Sequence, residues 1–157
     1  MPRTRTADAR RDGTTSQGRH DVVAVSGRHL PLTRAVVVRA AETVLRQERR
    51  LAVLSVTFVG RDRMASLNAR WKGHRRPTDV LAFSLPNPGG AVAGDIYVCP
   101  WYAAREARAR RIPLRQELLR LVIHGVLHVL GHQHPEGEDR IGSPMWRRQE
   151  RYLEALA

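Results

Sequence analysis

Four histidines lie within the eleven residues HGVLHVLGHQH, which run from His124 to His134. His124 and His128 are four positions apart, so on a helix both imidazoles project from the same face about one turn apart. Gly131 is a residue type that ends helices, and a chain that turns back after it brings His134 towards the other two rings. The pattern H-x-x-x-H-x-x-G-x-x-H has the ligand and glycine spacing of the metzincin zinc peptidases. The spacing therefore predicts that His124, His128 and His134 bind one divalent metal ion.

Gly125 separates this motif from those peptidases. Their general base is a glutamate directly after the first histidine, and Gly125 fills that position without any group that can take a proton. Three neutral nitrogens with one open coordination position are typical of a catalytic zinc site, because a structural zinc is normally closed by a fourth protein ligand. His132 is open to three interpretations: a fourth ligand, an alternative third ligand, or a surface residue. The spacing favours His134, and one zinc ion per chain is expected.

The elements that must position these histidines follow from hydrophobic periodicity. Residues 114–130 are helical in pattern and become apolar on all sides towards their C-terminal half, so that half is predicted to be buried. Strands are predicted at residues 21–27, 51–59, 79–85 and 95–100, and further helices at residues 33–47, 61–71, 101–110 and 143–157. This order predicts an α+β fold, a small mixed four-stranded sheet packed with about five helices. The zincin-like metal site lies on the buried helix and the turn after it.

Length, charge and cysteine content limit the class of protein. At 157 residues the chain suits a single domain, and Cys99, its only cysteine, excludes an intramolecular disulfide. The apolar runs are too short for a membrane span. Residues 1–20 are predicted to be a disordered basic tail, which leaves residues 21–157 as one metal-dependent hydrolase domain. The formal net charge of +12, carried mostly by arginine, favours an anionic partner such as nucleic acid.

A basic loop, WKGHRRPTD, lies between the second helix and the third strand. Lys72, Arg75 and Arg76 can contact phosphates there, and Trp71 can stack on an unpaired base, so these four residues form the predicted RNA-binding group. The alternative is a solvated loop with Trp71 packed in the core. Asp79 can act as a catalytic base, orient a ligand histidine or cap the loop, and the sequence leaves that choice open.

Three separated blocks of the sequence resemble the YbeY-type endoribonucleases, a family of bacterial rRNA maturation factors. HGVLHVLGHQH is similar to the family signature H-G-x-L-H-L-x-G-Y-D-H. LNARWKGHRRPTDVLAFSLP is similar to the block L-N-x-x-Y-R-x-x-x-x-P-T-D-V-L-S-F-P, and GDIYVC to the family's G-D-I stretch. The closing segment MWRRQERYLEAL resembles the family's last helix. The resemblance thus runs from about Val22 to the end of the chain.

The resemblance implies a cytoplasmic, metal-dependent, single-strand-specific endoribonuclease. It would act near the 3′ end of the 16S rRNA precursor in maturation of the small ribosomal subunit, and in ribosome quality control. The family's three metal-binding histidines map to His124, His128 and His134, and its arginine implicated in activity maps to Lys72. Ribosomal proteins and an assembly GTPase are the implied protein partners, and no membrane partner is expected.

Two positions depart from the family pattern. Lys72 keeps the positive charge of the family's arginine but loses the bidentate fork for phosphate, which Arg75 and Arg76 can partly replace. His132 and Gln133 replace a Tyr-Asp pair, which removes a carboxylate from beside the metal. Two other hypotheses are a non-enzymatic ribosome-assembly factor with a structural zinc and a zincin-like peptidase. Gly125 and the basic charge count against the peptidase.

Overall fold

The computed structural model describes residues 21–73, 78–87 and 90–156. Within these ranges the chain forms one four-stranded sheet, five α-helices and a short 3-10 helix. The strands are β1 (Val22–Gly27), β2 (Ala52–Phe58), β3 (Val80–Leu85) and β4 (Val92–Val98). The helices are α1 (Arg34–Glu48), α2 (Arg61–Lys72), α3 (Pro100–Arg110), α4 (Leu114–Val129) and α5 (Pro144–Glu154), with the 3-10 helix at Gly137–Arg140. The predicted α+β fold is therefore confirmed.

The sheet has the strand order β1-β2-β4-β3. β1, β2 and β4 are parallel, and β3 pairs antiparallel with β4 at one edge, so the sheet is mixed as predicted. Parallel neighbours need a crossover connection, which α1 supplies between β1 and β2. As a consequence, the carboxyl ends of the three parallel strands meet along one edge of the sheet.

α4 is the central helix of the core. Leu118, Val122 and Leu127 on this helix are at most 1% exposed, because α1, α3, α5 and the sheet all pack around it. The predicted burial of its C-terminal half is confirmed. Among the residues described, no helix combines the length and the apolar character that a bilayer span requires.

Two glycines allow α4 to lie directly on β4. A Cβ atom at Gly125 of α4 would lie 2.5 Å from Ile96 Cγ2 of β4. A Cβ atom at Gly94 of β4 would lie 2.4 Å from Val129 Cγ1 of α4. Both separations are far inside van der Waals contact, so a larger residue at either position would push the helix away from the sheet. This close contact determines the position of the C-terminal end of α4 relative to the sheet.

The differences from the predicted elements lie mainly at their ends. β4 begins at Val92, earlier than predicted, because the Val92 N–H donates to Leu51 O and the strand pairs with β2 from its first residue. Pro100 was predicted to end this strand and is instead the first residue of α3, where a missing N–H has no cost. The 3-10 helix was not predicted, since its sequence GEDR has no hydrophobic period. The predicted tail, residues 1–20, lies outside the described residues.

Candidate metal centre

Three histidine rings meet where α4 ends. His124 and His128 project from α4, and the chain turns back after Gly131 so that His134 faces both. Gly131 has a φ of +99°, a conformation that suits glycine and permits this turn. The ring centroids are 4.5 Å apart for His124 and His128, 5.1 Å for His124 and His134, and 4.9 Å for His128 and His134. One ligand nitrogen from each ring lies within 4.8 Å of the other two.

Hydrogen bonds to the Nδ1 atoms orient the first two rings. His124 Nδ1 lies 2.7 Å from Gln149 Oε1, and His128 Nδ1 lies 3.0 Å from the backbone oxygen of His132. The Gln149 amide is held in this sense because its Nε2 donates to Glu150 Oε1 at 3.1 Å. Carbonyl oxygens only accept, so each Nδ1 carries the proton and donates it. The Nε2 atom of each ring is therefore left with its lone pair.

His134 completes the set in the same way. Its Nδ1 lies 2.8 Å from the backbone oxygen of Pro135 and donates to it, which leaves Nε2 as the atom that faces the other two rings. His128 Nε2 and His134 Nε2 are 3.1 Å apart. Two nitrogens bound to one zinc ion at about 2.0–2.1 Å in tetrahedral geometry would lie about 3.3 Å apart. The donor set thus fits a divalent metal ion, and Nδ1–H bonded to an oxygen is the arrangement typical of metal-binding histidines.

Burial keeps the His124 and His128 imidazoles neutral at neutral pH. Loss of hydration lowers the pKa of His124 to about 4, although the hydrogen bond with Gln149 acts in the opposite direction. Loss of hydration, together with the neighbouring histidines and Lys72, lowers the pKa of His128 to about 4. A metal ion binds only the unprotonated nitrogen, so both residues are in the form that coordinates.

An open cleft of about 910 Å³ passes the three histidines. Lys72, the last residue of α2, lines this cleft, and so does Asp79 at the start of β3. Asp79 Oδ1 accepts a hydrogen bond from the Val80 N–H at 2.8 Å, so one carboxylate oxygen helps to hold the backbone where β3 begins. The fold therefore brings both residues predicted to be catalytic to the cleft that contains the histidine cluster.

Of the four residues in the predicted RNA-binding group, the structure describes two, Trp71 and Lys72. Trp71 is 58% exposed with its ring 5.5 Å from that of Phe83, so the alternative in which Trp71 packs in the core is wrong. The described lining of the cleft includes Lys72 but not Trp71. Arg75 and Arg76 lie outside the described residues.

His132 faces a different partner. Its Nε2 lies 3.0 Å from Glu48 Oε2 on α1, and Glu48 Oε1 also accepts from Arg148 at 2.8 Å and Tyr152 at 2.5 Å. Burial raises the pKa of the Glu48 carboxyl, but the three hydrogen bonds outweigh it and hold the pKa below its usual value. This contact with Glu48 is none of the three interpretations of His132: the residue ties the turn to α1.

The structure explains why Gly125 stands where the zinc peptidases have a glutamate. Gly125 points at Ile96 of the sheet, and even a methyl group there would clash. A glutamate would have no room at this position in the present packing. The glycine is therefore a packing requirement, and the site lacks a peptidase's base for that reason.

Two residues near the histidines were missed by the sequence analysis. Arg140, in the 3-10 helix, lines the cleft, and its Nε is buried without a hydrogen-bond partner in the described part of the chain. Nothing in the local sequence indicated its position. Gln149 is 1% exposed and supports His124. The sequence did contain a sign of this role, because Gln149 is a polar residue on the face of α5 that is otherwise apolar and buried. The other buried residues of that face are Met145, Tyr152 and Leu153.

The fold and the site together define an α+β protein with a three-histidine cluster that fits a divalent metal ion, in an open cleft. The sequence profile of the family described as Endoribonuclease YbeY matches residues 23–157. The chain therefore belongs to the endoribonuclease YbeY family. The resemblance and the predicted class of enzyme are confirmed by this membership.

Individual relatives agree with the family match. The endoribonuclease YbeY of Thermotoga maritima is 38% identical over 115 residues, which cover 73% of this chain and 75% of that protein. The Nocardia farcinica endoribonuclease YbeY is 40% identical over 114 residues, covering 66% and 61% of the two chains. A solution structure of a Thermotoga maritima protein superimposes with a TM-score of 0.62 at 29% identity, covering 86% of this chain and 89% of the other.

Proposed function

We propose that this protein is a cytoplasmic, zinc-dependent endoribonuclease that cleaves single-stranded RNA near the 3′ end of the 16S rRNA precursor. Its role would be maturation of the small ribosomal subunit and ribosome quality control. The observation that carries the proposal is the convergence of three histidine rings, with ligand nitrogens within 4.8 Å of one another, in an open cleft that Lys72 and Arg140 also line. Membership of the endoribonuclease YbeY family supports the RNA substrate.

The metal set in this proposal is His124, His128 and His134. Zinc held there supplies a Lewis acid for a phosphoryl oxygen and activates water at neutral pH. Three imidazoles without a fourth protein ligand leave one coordination position for that chemistry. Zinc is preferred over harder cations because an all-nitrogen donor set suits it, whereas magnesium and calcium favour oxygen.

The remaining residues of the cleft act on the phosphate and on protons. Lys72 contacts a non-bridging phosphate oxygen as a point charge, and Arg140 supplies the planar fork that a lysine lacks. Arg140 suits this role because it lines the same cleft as the three histidines. Asp79 orients the attacking water or accepts its proton from the side of the cleft. Trp71, Arg75 and Arg76 extend RNA binding from the adjoining loop.

The proposal also assigns the domain organisation and the partners. Residues 21–157 form the hydrolase domain, because the family match covers almost all of that range. Ribosomal proteins and an assembly GTPase are proposed as partners on the family resemblance, since the enzyme would meet its RNA within a ribosomal particle.

The test is cleavage of a small-subunit rRNA 3′ precursor by wild type and by His124→Ala, purified identically. We expect wild type to cleave and the variant to lose nearly all activity. Equal cleavage by both proteins would point to a contaminating nuclease, and no cleavage by either would favour a non-enzymatic assembly factor. Either result would overturn the proposal.

A further inference from the structure

A second groove lies away from the histidine cluster, at the carboxyl edge of the parallel strands. Its volume is about 790 Å³, and Arg28, His29, Phe58, Arg63 and Trp101 are among the residues that line it. We call it the carboxyl-edge groove. Ligands of sheets with parallel strands commonly bind at this edge, because the loops that follow the strands leave a crevice there.

The carboxyl-edge groove is basic. Arg28, His29 and Arg63 are exposed, and the described lining contains no aspartate or glutamate. Asp62 lies nearby, 3.6 Å from Arg61 Nε, but its side chain is 98% exposed, and so open an ion pair neutralises little. The charge of the groove therefore favours an anionic ligand.

Backbone dipoles add to that preference. α2 and α3 both begin at the groove, since Gly60 and Pro100 line it. Neither helix has a side-chain cap at its N-terminus. The partial positive charge of a helix N-terminus attracts phosphate groups, although here it only supplements the arginines.

An exposed aromatic residue makes the groove suited to nucleic acid. Trp101 is 42% exposed, and the Arg61 guanidinium lies 5.0 Å from the centroid of its ring. A tryptophan beside arginines is typical of surfaces on which unpaired bases stack while the phosphates contact cations. A simple anion site would not need an exposed indole ring.

Two features connect the groove with the histidine cleft. The Trp101 ring lies 6.3 Å from that of Tyr102, and Tyr102 lines the cleft. α2 also runs between them, with Arg63 at the groove and Lys72 at the cleft. Nine residues of helix span about 14 Å, so a strand must be several nucleotides long to reach from the cleft to the groove.

We propose that the carboxyl-edge groove is a second binding site for single-stranded RNA and extends the histidine cleft. A base stacks on Trp101, and flanking phosphates contact Arg28 and Arg63. The choice of RNA as ligand rests on the proposed function. The site gives affinity for strands long enough to reach from the cleft to Trp101, and it has no part in the chemistry.

The test is binding of fluorescently labelled single-stranded RNA by the full-length protein, measured by anisotropy with a trinucleotide and a decanucleotide. Arg63→Ala should weaken decamer binding about threefold and reduce the slope of log Kd against log salt concentration by about 0.7, the value for one lost phosphate contact on a single strand. Trp101→Leu should weaken it about five- to tenfold, the low end for a stacking aromatic. Arg39→Ala is the matched control, because Arg39 is exposed on α1 and lines neither site.

The trinucleotide distinguishes the groove from the cleft. Its binding should change less than twofold in both groove variants, because it occupies the cleft alone. Unchanged decamer binding by Arg63→Ala and Trp101→Leu would overturn the proposal. An equal loss in Arg39→Ala, or an equal effect of Trp101→Leu on a ten-base-pair duplex, would overturn it as well. Thermal unfolding of each variant confirms that a loss of binding does not come from a loss of fold.

Cleavage of the decamer, measured in parallel, separates this proposal from the proposed function. A protein that binds the decamer through the groove but cleaves nothing would refute the endoribonuclease and leave the groove intact. A protein that cleaves the decamer, but whose groove variants bind it as wild type does, would refute the groove alone.

Discussion

His124 Nδ1 and Gln149 Oε1 lie 2.7 Å apart, which joins the first residue of the histidine cluster to the last helix of the chain. The contact continues outward, because Gln149 donates to Glu150 and Glu150 accepts from Arg120 Nε at 2.8 Å. Arg120 in turn pairs with Glu117, which is 2% exposed. The orientation of the His124 ring is therefore determined by a buried polar network between α4 and α5.

Replacement of Gln149 should weaken metal binding. Gln149→Leu leaves the His124 Nδ1–H without an acceptor, and loss of such a partner typically lowers metal affinity about 10- to 100-fold. Gln149→Glu keeps an acceptor at the same place, so its zinc affinity should be at least that of wild type. Competition with a chromophoric zinc chelator measures both values. Equal losses in the two variants would show that Gln149 acts only through packing.

Removal of a ligand histidine should have a different effect from removal of its neighbour. We expect His134→Ala to lose bound zinc and activity together, because only two imidazoles would remain to hold the ion. His132→Ala should keep zinc, since His128 bonds to the backbone oxygen of residue 132 and not to its side chain. The variant loses only the contact with Glu48, at a cost of about 1 kcal/mol in the free energy of unfolding.

Elemental analysis after dialysis measures the zinc content of the two variants, and urea unfolding measures their stability. Loss of zinc in His132→Ala would contradict the assignment and make His132 a ligand. Retention of stoichiometric zinc in His134→Ala would also contradict the assignment, because His134 would then not be a ligand.

Gly125→Ala should destabilise the protein. Its Cβ would meet Ile96 Cγ2 at 2.5 Å, so α4 must move from the sheet, at a cost of about 1–3 kcal/mol. Gly60→Ala is the matched control, because nothing lies within 4 Å of a Cβ there and its φ is −72°. Gly60 is the N-cap of α2, where glycine is preferred over alanine, so we expect that variant to lose about 0.5–1 kcal/mol, all of it from the cap. Urea midpoints of zinc-loaded protein provide the comparison, and similar midpoints for the two variants would show that the close approach has no energetic weight.

Arg140→Met should separate activity from stability. If Arg140 contacts the phosphate, kcat/KM for a single-stranded substrate should fall about 10- to 100-fold at equal zinc content. Stability should stay the same or rise, because the buried Nε lacks a described partner and removing an unsatisfied donor removes a cost. Arg115→Met removes the same charge from the exposed start of α4 and should leave kcat/KM unchanged. A destabilised Arg140→Met with normal activity per folded molecule would assign Arg140 a structural role.

The sequence alone determined the elements and the identity of the cluster. Helical spacing fixes His124 and His128 on one face wherever α4 is placed, and a glycine after the helix is a local property of Gly131. Hydrophobic periods located the strands and helices to within a few residues because burial of one face repeats along the chain. These features depend on contacts between near neighbours in sequence, so they can be predicted from it.

The tertiary structure decided everything that depends on residues far apart in the chain. Gln149 meets His124 from another helix, and His132 bonds to Glu48, 84 residues away. Gly125 is explained only by Ile96, which no local pattern connects to it. The order of the strands determines which loops share the carboxyl edge, and so which cations surround Trp101. Packing selects these partners because distant residues come together only when the whole core forms.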